Sequence, residues 1–202
     1  QSGETADTLA ALRLGKKSGA RVLGIVNVVG SSIARESDDV LYTWAGPEIA
    51  VASTKAYSAQ VSAMYLLTCH IALETGKLSK EKFRELREEL YQLPKKVDVI
   101  LQQAGKIKKL AEDYANSKNV FYIGRGLDYM VSMEGSLKLK EVAYVHSEPY
   151  AAGELKHGPI ALIEDVTLVV GIATQEVLYE KTVSNLKEVK ARGGKVLAIT
   201  LE

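Results

Sequence analysis

Segments with helical and with strand periodicity alternate along the chain. Apolar residues recur every three or four positions in six segments, which predicts helices over 6–18, 53–76, 79–90, 97–117, 129–144 and 175–192. Short runs rich in valine, isoleucine and leucine predict buried strands over 21–27, 39–43, 119–123, 166–172 and 195–200. Pro94 follows the third helix and is expected to end it. The alternation predicts an α/β fold with parallel sheets flanked by helices, in a three-layer αβα arrangement.

The chain contains an internal repeat with an offset of 174 residues (175 minus 1). The aligned pairs are Gln1 with Gln175, Leu12 with Leu186, Lys16 with Lys190, Gly19 with Gly193 and Val22 with Val196. Loop, helix, glycine and strand recur in the same order, which indicates two similar lobes, 1–78 and 118–202, joined by polar helices over 79–117. The alternative is coincidence, because any two helix–strand units share this coarse pattern.

The first eight residues, QSGETADT, have the composition of a loop that binds an anion at the start of a helix. Gly3 allows a ligand to approach the backbone, and the side chains of Gln1, Ser2 and Thr5 can donate hydrogen bonds. The N–H groups of a first helical turn attract an anion, and the absence of a lysine favours a phosphate monoester over a triphosphate. The alternative is an ordinary helix N-cap. In the repeat the loop becomes EVLY at 176–179, so only the first lobe is expected to bind phosphate.

Composition narrows the function classes. The chain of 202 residues has 26 basic and 25 acidic residues, so its charge gives no reason to expect nucleic acid or a membrane as a partner. Its one cysteine, Cys69, excludes a disulfide framework and a cysteine-rich metal site, and its apolar neighbours predict a buried structural thiol. Neither a signal peptide nor an apolar run of membrane-spanning length is found, which makes the cytoplasm the expected location. The abrupt start and end suggest a fragment of a larger protein.

Three charged residues share one face of the helix predicted over 129–144. Glu134, Lys138 and Glu141 are spaced by four and then three positions. A carboxylate beside an ammonium group stays ionised, and an ionised carboxylate near a substrate carbon can carry a proton between adjacent carbons. The alternative is a solvated stripe of ion pairs. A second candidate is His157, which glycine and proline flank in the turn GELKHGP and whose imidazole is available for acid–base chemistry.

Four stretches together resemble the isomerase part of the glucosamine-6-phosphate synthase family, the isomerising glutamine–fructose-6-phosphate aminotransferases. They are QSGETADT at 1–8, VASTK at 51–55, EGSLKLKE at 134–141 and YAAGELKHGP at 150–159. The resemblance covers essentially the whole chain in the same order. It implies two sugar-isomerase (SIS) lobes. It also implies that the chain binds the sugar phosphates fructose 6-phosphate and glucosamine 6-phosphate, and that it needs neither a metal nor an organic cofactor.

The resemblance also implies which residues bind the substrate. The phosphate would be bound by one group of residues and the sugar by another: Gln1, Ser2 and Thr5 for the phosphate, and Val51 (through its backbone), Ser53 and Glu134 for the sugar.

Three further positions correspond to catalytic residues of the family. Glu141 would be the base that moves a proton between C1 and C2, with Lys138 beside it. His157 would help to open the sugar ring and would come from the partner subunit, so the site requires a homodimer. Ammonia would come from glutamine, at a glutaminase domain elsewhere in the full-length protein.

Some family features are absent from the chain. It has neither the N-terminal cysteine nucleophile of the glutaminase domain nor the C-terminal lysine that forms a Schiff base with the sugar. We therefore expect the 202 residues alone to be inactive. Two alternatives stay open, another SIS enzyme such as a phosphosugar deaminase or deglycase, and a non-catalytic module that binds a phosphosugar. The joint presence of Glu141 and His157 favours an enzyme.

Overall fold

The computed structural model describes residues 1–201. The chain divides into two compact units, and the boundary between them in the sequence lies between Gln102 and Gln103. The first unit contains α1 (Ala6–Lys17), β1 (Leu23–Val26), α2 (Ser32–Glu36), β2 (Asp39–Tyr42), α3 (Lys55–Glu74) and α4 (Lys80–Leu101). The second contains α5 (Ala104–Glu112), β3 (Asn119–Gly124), α6 (Leu127–Ala143), β4 (His146–Ala151), β5 (Leu168–Ala173), α7 (Glu176–Ala191) and β6 (Lys195–Thr200). No helix within residues 1–201 has the length and apolar character needed to cross a membrane.

In the first unit, β1 and β2 pair in parallel, with Leu23 opposite Asp39. The core of this unit forms where α1 and α2 pack on the two strands. Its buried members are Leu12, Val26, Ile33 and Ala34. Helices α3 and α4 pack against each other, and Ser79 caps α4 by accepting a hydrogen bond from the Lys82 N–H at 3.2 Å.

In the second unit, four parallel strands form a sheet in the order β4–β3–β5–β6. Phe121 and Ile123 of β3 pack with Leu186 of α7 on one face. Val120 of β3 packs with Leu139 of α6 on the other face. Alternate residues of one strand therefore contact helices on opposite sides, which confirms the predicted three-layer αβα arrangement.

Three local predictions are wrong. The helix predicted over 79–90, with Pro94 as the break after it, continues through the proline to Leu101 as the exposed α4, in which an ion pair from Lys96 to Glu89 spans Pro94. The single helix predicted over 97–117 is divided, because α4 ends at Leu101 and α5 begins at Ala104. Cys69 is half-buried rather than buried, since α3 buries only two alanines.

Two elements were not predicted. The short helix α2 follows β1, and β4 runs over the polar sequence HSEPYA. Pro149 is compatible with β4 because this strand lies at an edge of the sheet, where one side needs no ladder hydrogen bonds.

Candidate functional site

The first five residues of the predicted anion loop are non-helical and precede α1, whereas residues 6–8 form the start of that helix. Thr5 is the N-cap residue of α1, and its side chain makes no capping hydrogen bond. Ser2 and Thr5 are exposed, and the Ser2 hydroxyl accepts a hydrogen bond from the Glu4 N–H at 3.3 Å. The first N–H groups of α1 have no partner within the helix, as at any helix start. The loop therefore presents two accessible hydroxyl groups and the positive end of a 12-residue helix.

Contacts with the start of α2 fix the conformation of this loop. Gly3 has φ +71°, and a Cβ atom there would lie 2.1 Å from the hydroxyl oxygen of the buried Ser31. The Gly3 carbonyl accepts from the Ile33 N–H at 2.9 Å, and the Glu4 carboxylate accepts from the Ser32 N–H at 2.8 Å. Hydrogen bonds from the side chain and the backbone of Ser32 lower the pKa of Glu4. The Glu4 carboxylate is thus bound to α2, while the other carboxylate of residues 1–8, Asp7, lies in the first turn of α1.

A cavity of about 490 Å³ adjoins the loop at the carboxyl ends of β1 and β2. Gln1, Asn27, Trp44 and Glu48 are among its lining residues. Asn27 accepts from the Ala45 N–H at 2.8 Å and donates to the Gly46 carbonyl at 2.7 Å, which orders the segment after β2. Trp44 is 75% exposed, with its ring 5.5 Å from that of Tyr42. In parallel α/β sheets, ligands bind at this end of the strands.

Val51 and Ser53 lie further along the segment that joins β2 to α3. Val51 is fully exposed and Ser53 is half-buried. Glu48 caps α3 from outside the helix, because its carboxylate accepts from the Ala56 N–H at 3.0 Å and the Thr54 N–H at 3.2 Å. These hydrogen bonds, the one from Ala56 foremost, lower the pKa of Glu48. Sequence reasoning missed Glu48 and Asn27, although both are polar residues beside the predicted strands and motif.

Helix α6 brings together the three charged residues predicted from their spacing. The Lys138 ammonium lies 3.5 Å from the Glu134 carboxylate and also forms an ion pair with Glu141. The hydrogen bond with Glu141 is the main reason that the pKa of Lys138 is raised. All three side chains keep between 22 and 33% of their surface exposed. The stripe is therefore both ion-paired and accessible to a ligand.

The opposite face of α6 is a buried stripe of polar residues that the sequence did not predict. Asp128, Ser132 and Ser136 recur every four positions, and each is at most 3% exposed. The Ser136 hydroxyl lies 2.9 Å from the Ser147 hydroxyl on β4, and Ser147 donates to the Ser136 carbonyl at 2.8 Å. The Asp128 carboxylate accepts hydrogen bonds from the segment between β5 and α7. Hydrogen bonds as well as apolar contacts therefore fix α6 on its sheet.

His157 is exposed at the end of the short 3-10 turn Leu155–His157, and its N–H donates to the Glu154 carbonyl at 3.0 Å. The turn follows β4 and packs on the segment after β3. The Ala152 N–H donates to the Gly124 carbonyl at 2.8 Å, and a Cβ at Gly153 would lie 2.9 Å from the Arg125 guanidinium. No described contact joins His157 to the α6 stripe within this chain.

His146 lies on the same face of β4 as Glu148 and Tyr150. Its ring nitrogen is 3.7 Å from the Glu148 carboxylate. The Tyr150 hydroxyl donates to the same carboxylate, which raises the pKa of Tyr150 to about 12. This cluster lies on the edge strand, away from the α6 face of the sheet.

Comparisons with known proteins converge on one family. The family model described as "SIS domain" matches residues 1–69 and 113–202. A glutamine–fructose-6-phosphate aminotransferase (isomerizing) from Clostridium tetani is 62% identical over all 202 residues, which are 33% of its own length. The chain thus spans about a third of the length of this curated relative.

Solved structures give the same result. The C-terminal domain of glucosamine-fructose-6-phosphate aminotransferase from Francisella tularensis superposes with a TM-score of 0.96 at 42% identity, over 99% of this chain and 57% of that one. Glucosamine-6-phosphate deaminase from Thermotoga maritima superposes with a TM-score of 0.76 at 29% identity, over 98% of this chain and 58% of that one. The identity and the TM-score are both higher for the aminotransferase.

Proposed function

Because the chain belongs to the SIS-domain family, we propose that it is the isomerase part of a longer glutamine–fructose-6-phosphate aminotransferase. It binds fructose 6-phosphate and takes part in its conversion to glucosamine 6-phosphate. The observation that carries this proposal is the accessible stripe in which Lys138 pairs with both Glu134 and Glu141. Such a stripe suits proton transfer, and the relative with 62% identity is named for a reaction that requires it.

The loop before α1 binds the phosphate of the substrate. Ser2 and Thr5 donate from exposed hydroxyls, Gln1 donates from its amide, and the helix N-terminus attracts the dianion. Val51 and Ser53, on the segment after β2, contact the sugar. Binding energy at the phosphate is remote from the reacting carbons and serves to orient them.

The chemistry at the sugar is a proton shift between neighbouring carbons. His157 assists ring opening and exposes the carbonyl at C2. Ammonia adds to this carbonyl and water leaves, which gives an imine. Glu141 removes a proton from C1 and delivers it to C2, while the proton of the C1 hydroxyl moves to the imine nitrogen. The amino group therefore stays on C2 and the aldehyde forms at C1. Lys138 holds the Glu141 carboxylate in place through their ion pair, and Glu134 binds the sugar beside them.

The proposal includes partners outside the chain. A second copy donates His157 across a homodimer interface, and a glutaminase domain of the longer protein supplies ammonia. We place the enzyme in the cytoplasm and expect the 202 residues alone to bind the sugar phosphate weakly without turnover.

A second candidate is a phosphosugar deaminase, favoured by the structural similarity to the deaminase from Thermotoga maritima. The two functions differ in the direction of nitrogen transfer. A deaminase releases ammonia from glucosamine 6-phosphate without glutamine, whereas the aminotransferase consumes glutamine and fructose 6-phosphate. Assaying the full-length protein with each substrate set distinguishes them.

The test of the proposal separates binding from chemistry in the full-length protein. Glu141→Gln removes the base but keeps its shape, so it should abolish turnover and leave fructose 6-phosphate affinity within about threefold. Ser2→Ala combined with Thr5→Ala should instead reduce that affinity by at least about 10-fold. Calorimetry and a coupled glucosamine 6-phosphate assay measure the two quantities.

Glu188→Gln, an exposed carboxylate on α7, is the matched control and should change neither quantity. Equal loss of binding and turnover in Glu141→Gln would show that this carboxylate has a structural role. Unchanged affinity in the double serine–threonine variant would move the phosphate site elsewhere.

A further inference from the structure

Asp128 is a buried carboxylate to which the proposed reaction gives no role. It lies in the first turn of α6 and is 3% exposed. Its oxygens accept hydrogen bonds from the Thr174 N–H at 2.9 Å, the Thr174 hydroxyl at 2.6 Å and the Gln175 N–H at 3.4 Å. Hydrogen bonds from such donors offset the cost of burying a carboxylate, and without it the donors of the half-buried Thr174 and Gln175 would lose these bonds.

These donors stand immediately before α7, for which Gln175 is the N-cap residue. The internal repeat aligns Gln175 with Gln1, and α7 with α1. Both helices bury a leucine at the aligned positions 12 and 186, and both are followed by a left-handed glycine, Gly19 with φ +82° and Gly193 with φ +88°. In the second unit, the Asp128 carboxylate therefore bonds to the counterpart of Gln1, the first residue of the loop proposed to bind phosphate in the first unit.

We infer that Asp128 is a built-in anion that takes the place of a phosphate in the second unit and acts as a positioning residue for α6. The inference rests on the proposed function for the role of α6. The first unit leaves the segment before its helix open to a ligand, whereas in the second unit a carboxylate of the chain bonds to the segment before the helix.

The geometry links Asp128 to the reacting end of α6. Glu141 is 13 positions further along the same helix, which corresponds to about 20 Å of helix length at 1.5 Å per residue. Ser132 donates to the Asp128 carbonyl at 2.8 Å, and Ser136 bonds to β4, so the buried stripe continues from Asp128 towards Glu141. Releasing the start of the helix would change its tilt, and a displacement of about 1 Å at a catalytic group can reduce the rate 100-fold.

The turn that contains Asp128 also supports the His157 turn. Arg125 donates to the Asn185 side chain at 2.8 Å and lies directly beneath Gly153, while the Gln175 amide donates to the Arg125 carbonyl at 2.6 Å. Loss of the carboxylate would thus disturb Gln175 and, through it, the backbone of Arg125.

The test uses Asp128→Asn in the full-length protein, with Asp113→Asn as the exposed control. Asparagine keeps the volume of the side chain but replaces one accepting oxygen by an NH2 group, which would face the donors of Thr174 or Gln175. We expect kcat to fall by about 30-fold or more while the KM for fructose 6-phosphate changes less than threefold. A purely structural loss would lower kcat and raise KM together, and that result, or an unchanged kcat, would overturn the inference.

A second variant supplies a readout that does not depend on activity. Asp128→Gly removes the side chain and leaves room for a small carboxylate, so formate should raise its melting temperature and leave those of the wild type and Asp113→Gly unchanged. An equal effect of formate on all three proteins would contradict a built-in anion. Wild-type protein without turnover would refute the proposed function but leave the formate result valid.

Discussion

The segments that lead into α1 and α7 align in the internal repeat, but they differ in conformation and in hydrogen bonding. In the first unit, residues 2–5 form a loop that is bound to α2, and the helix begins only at Ala6. In the second unit, the aligned residues 176–179 already form the first turn of α7. Asp128 accepts hydrogen bonds from Thr174 and Gln175 just before α7, whereas the start of α1 keeps its hydroxyls exposed.

This difference shows how two copies of a repeat can take separate roles, one contributing to the stability of the fold and the other to ligand binding. A helix start that is satisfied from within contributes to the folded state whether or not a ligand is present. A helix start that is left open contributes only when a ligand arrives, and then in proportion to its concentration. Equivalent substitutions in the two units should therefore change different quantities.

The largest contrast is expected at the aligned positions 3 and 177. Gly3→Ala places a Cβ at φ +71° and within 2.1 Å of Ser31, so it should lower the free energy of unfolding by about 3 kcal/mol and abolish sugar-phosphate binding. Val177→Ala, at a residue that is 90% exposed, should change stability by less than about 0.5 kcal/mol. Urea unfolding and calorimetry measure both. Similar effects at the two positions would remove the distinction between loop and helix.

A second contrast concerns two threonines. Thr174→Val removes the hydroxyl that donates to the buried Asp128 carboxylate and should cost about 2 kcal/mol of stability. Thr5→Val removes an exposed hydroxyl with no capping bond, so stability without ligand should stay the same. Fructose 6-phosphate should then stabilise Thr174→Val as it does the wild type, but Thr5→Val much less. Melting temperatures measured with and without fructose 6-phosphate test this difference. An equal increase in the two variants would contradict phosphate binding at the loop before α1.

The smallest effect is expected in the pH dependence at Glu4. Hydrogen bonds from Ser32 lower the pKa of this carboxyl in the folded protein. Its contribution to stability is therefore present above the unfolded pKa and is lost as pH falls through the folded one. Wild type and Glu4→Gln should differ most at neutral pH and converge as pH falls from about 5 to about 3. Unfolding curves across this range give the comparison, and a constant difference would contradict it.

The inner strands β3 and β5 of the second sheet and the helices beside them could be predicted because both faces of this sheet are covered. Runs such as 168–173 then become continuously apolar, and β5 is buried at every position from Leu168 to Ala173. Strand β4 could not be predicted, since an edge strand tolerates Pro149 and the polar residues around it. The ends of helices were predicted where glycine marked them, and wrongly where Pro94 suggested an end.

For the candidate site, sequence spacing alone predicted that Lys138 would lie beside Glu134 and Glu141, and the ion pairs confirm it. The roles of these residues and of His157 stay predictions. Asp128 was out of reach, because an aspartate in the first turn of a helix usually faces solvent and favours the helix dipole. Its burial depends on Thr174, which is 46 positions away in sequence.

The close seating of α6 limits how this protein can diversify. A Cβ at Gly135 would lie 2.9 Å from the Tyr122 ring, and one at Gly124 would lie 2.5 Å from the helix backbone, so neither position has room for a larger residue. The position of α6 on the sheet is therefore fixed, and substitutions on its buried face are expected to be destabilising. New substrate preferences should arise instead from the segment after β2, where Val51 is surrounded by solvent and replacement carries little structural penalty.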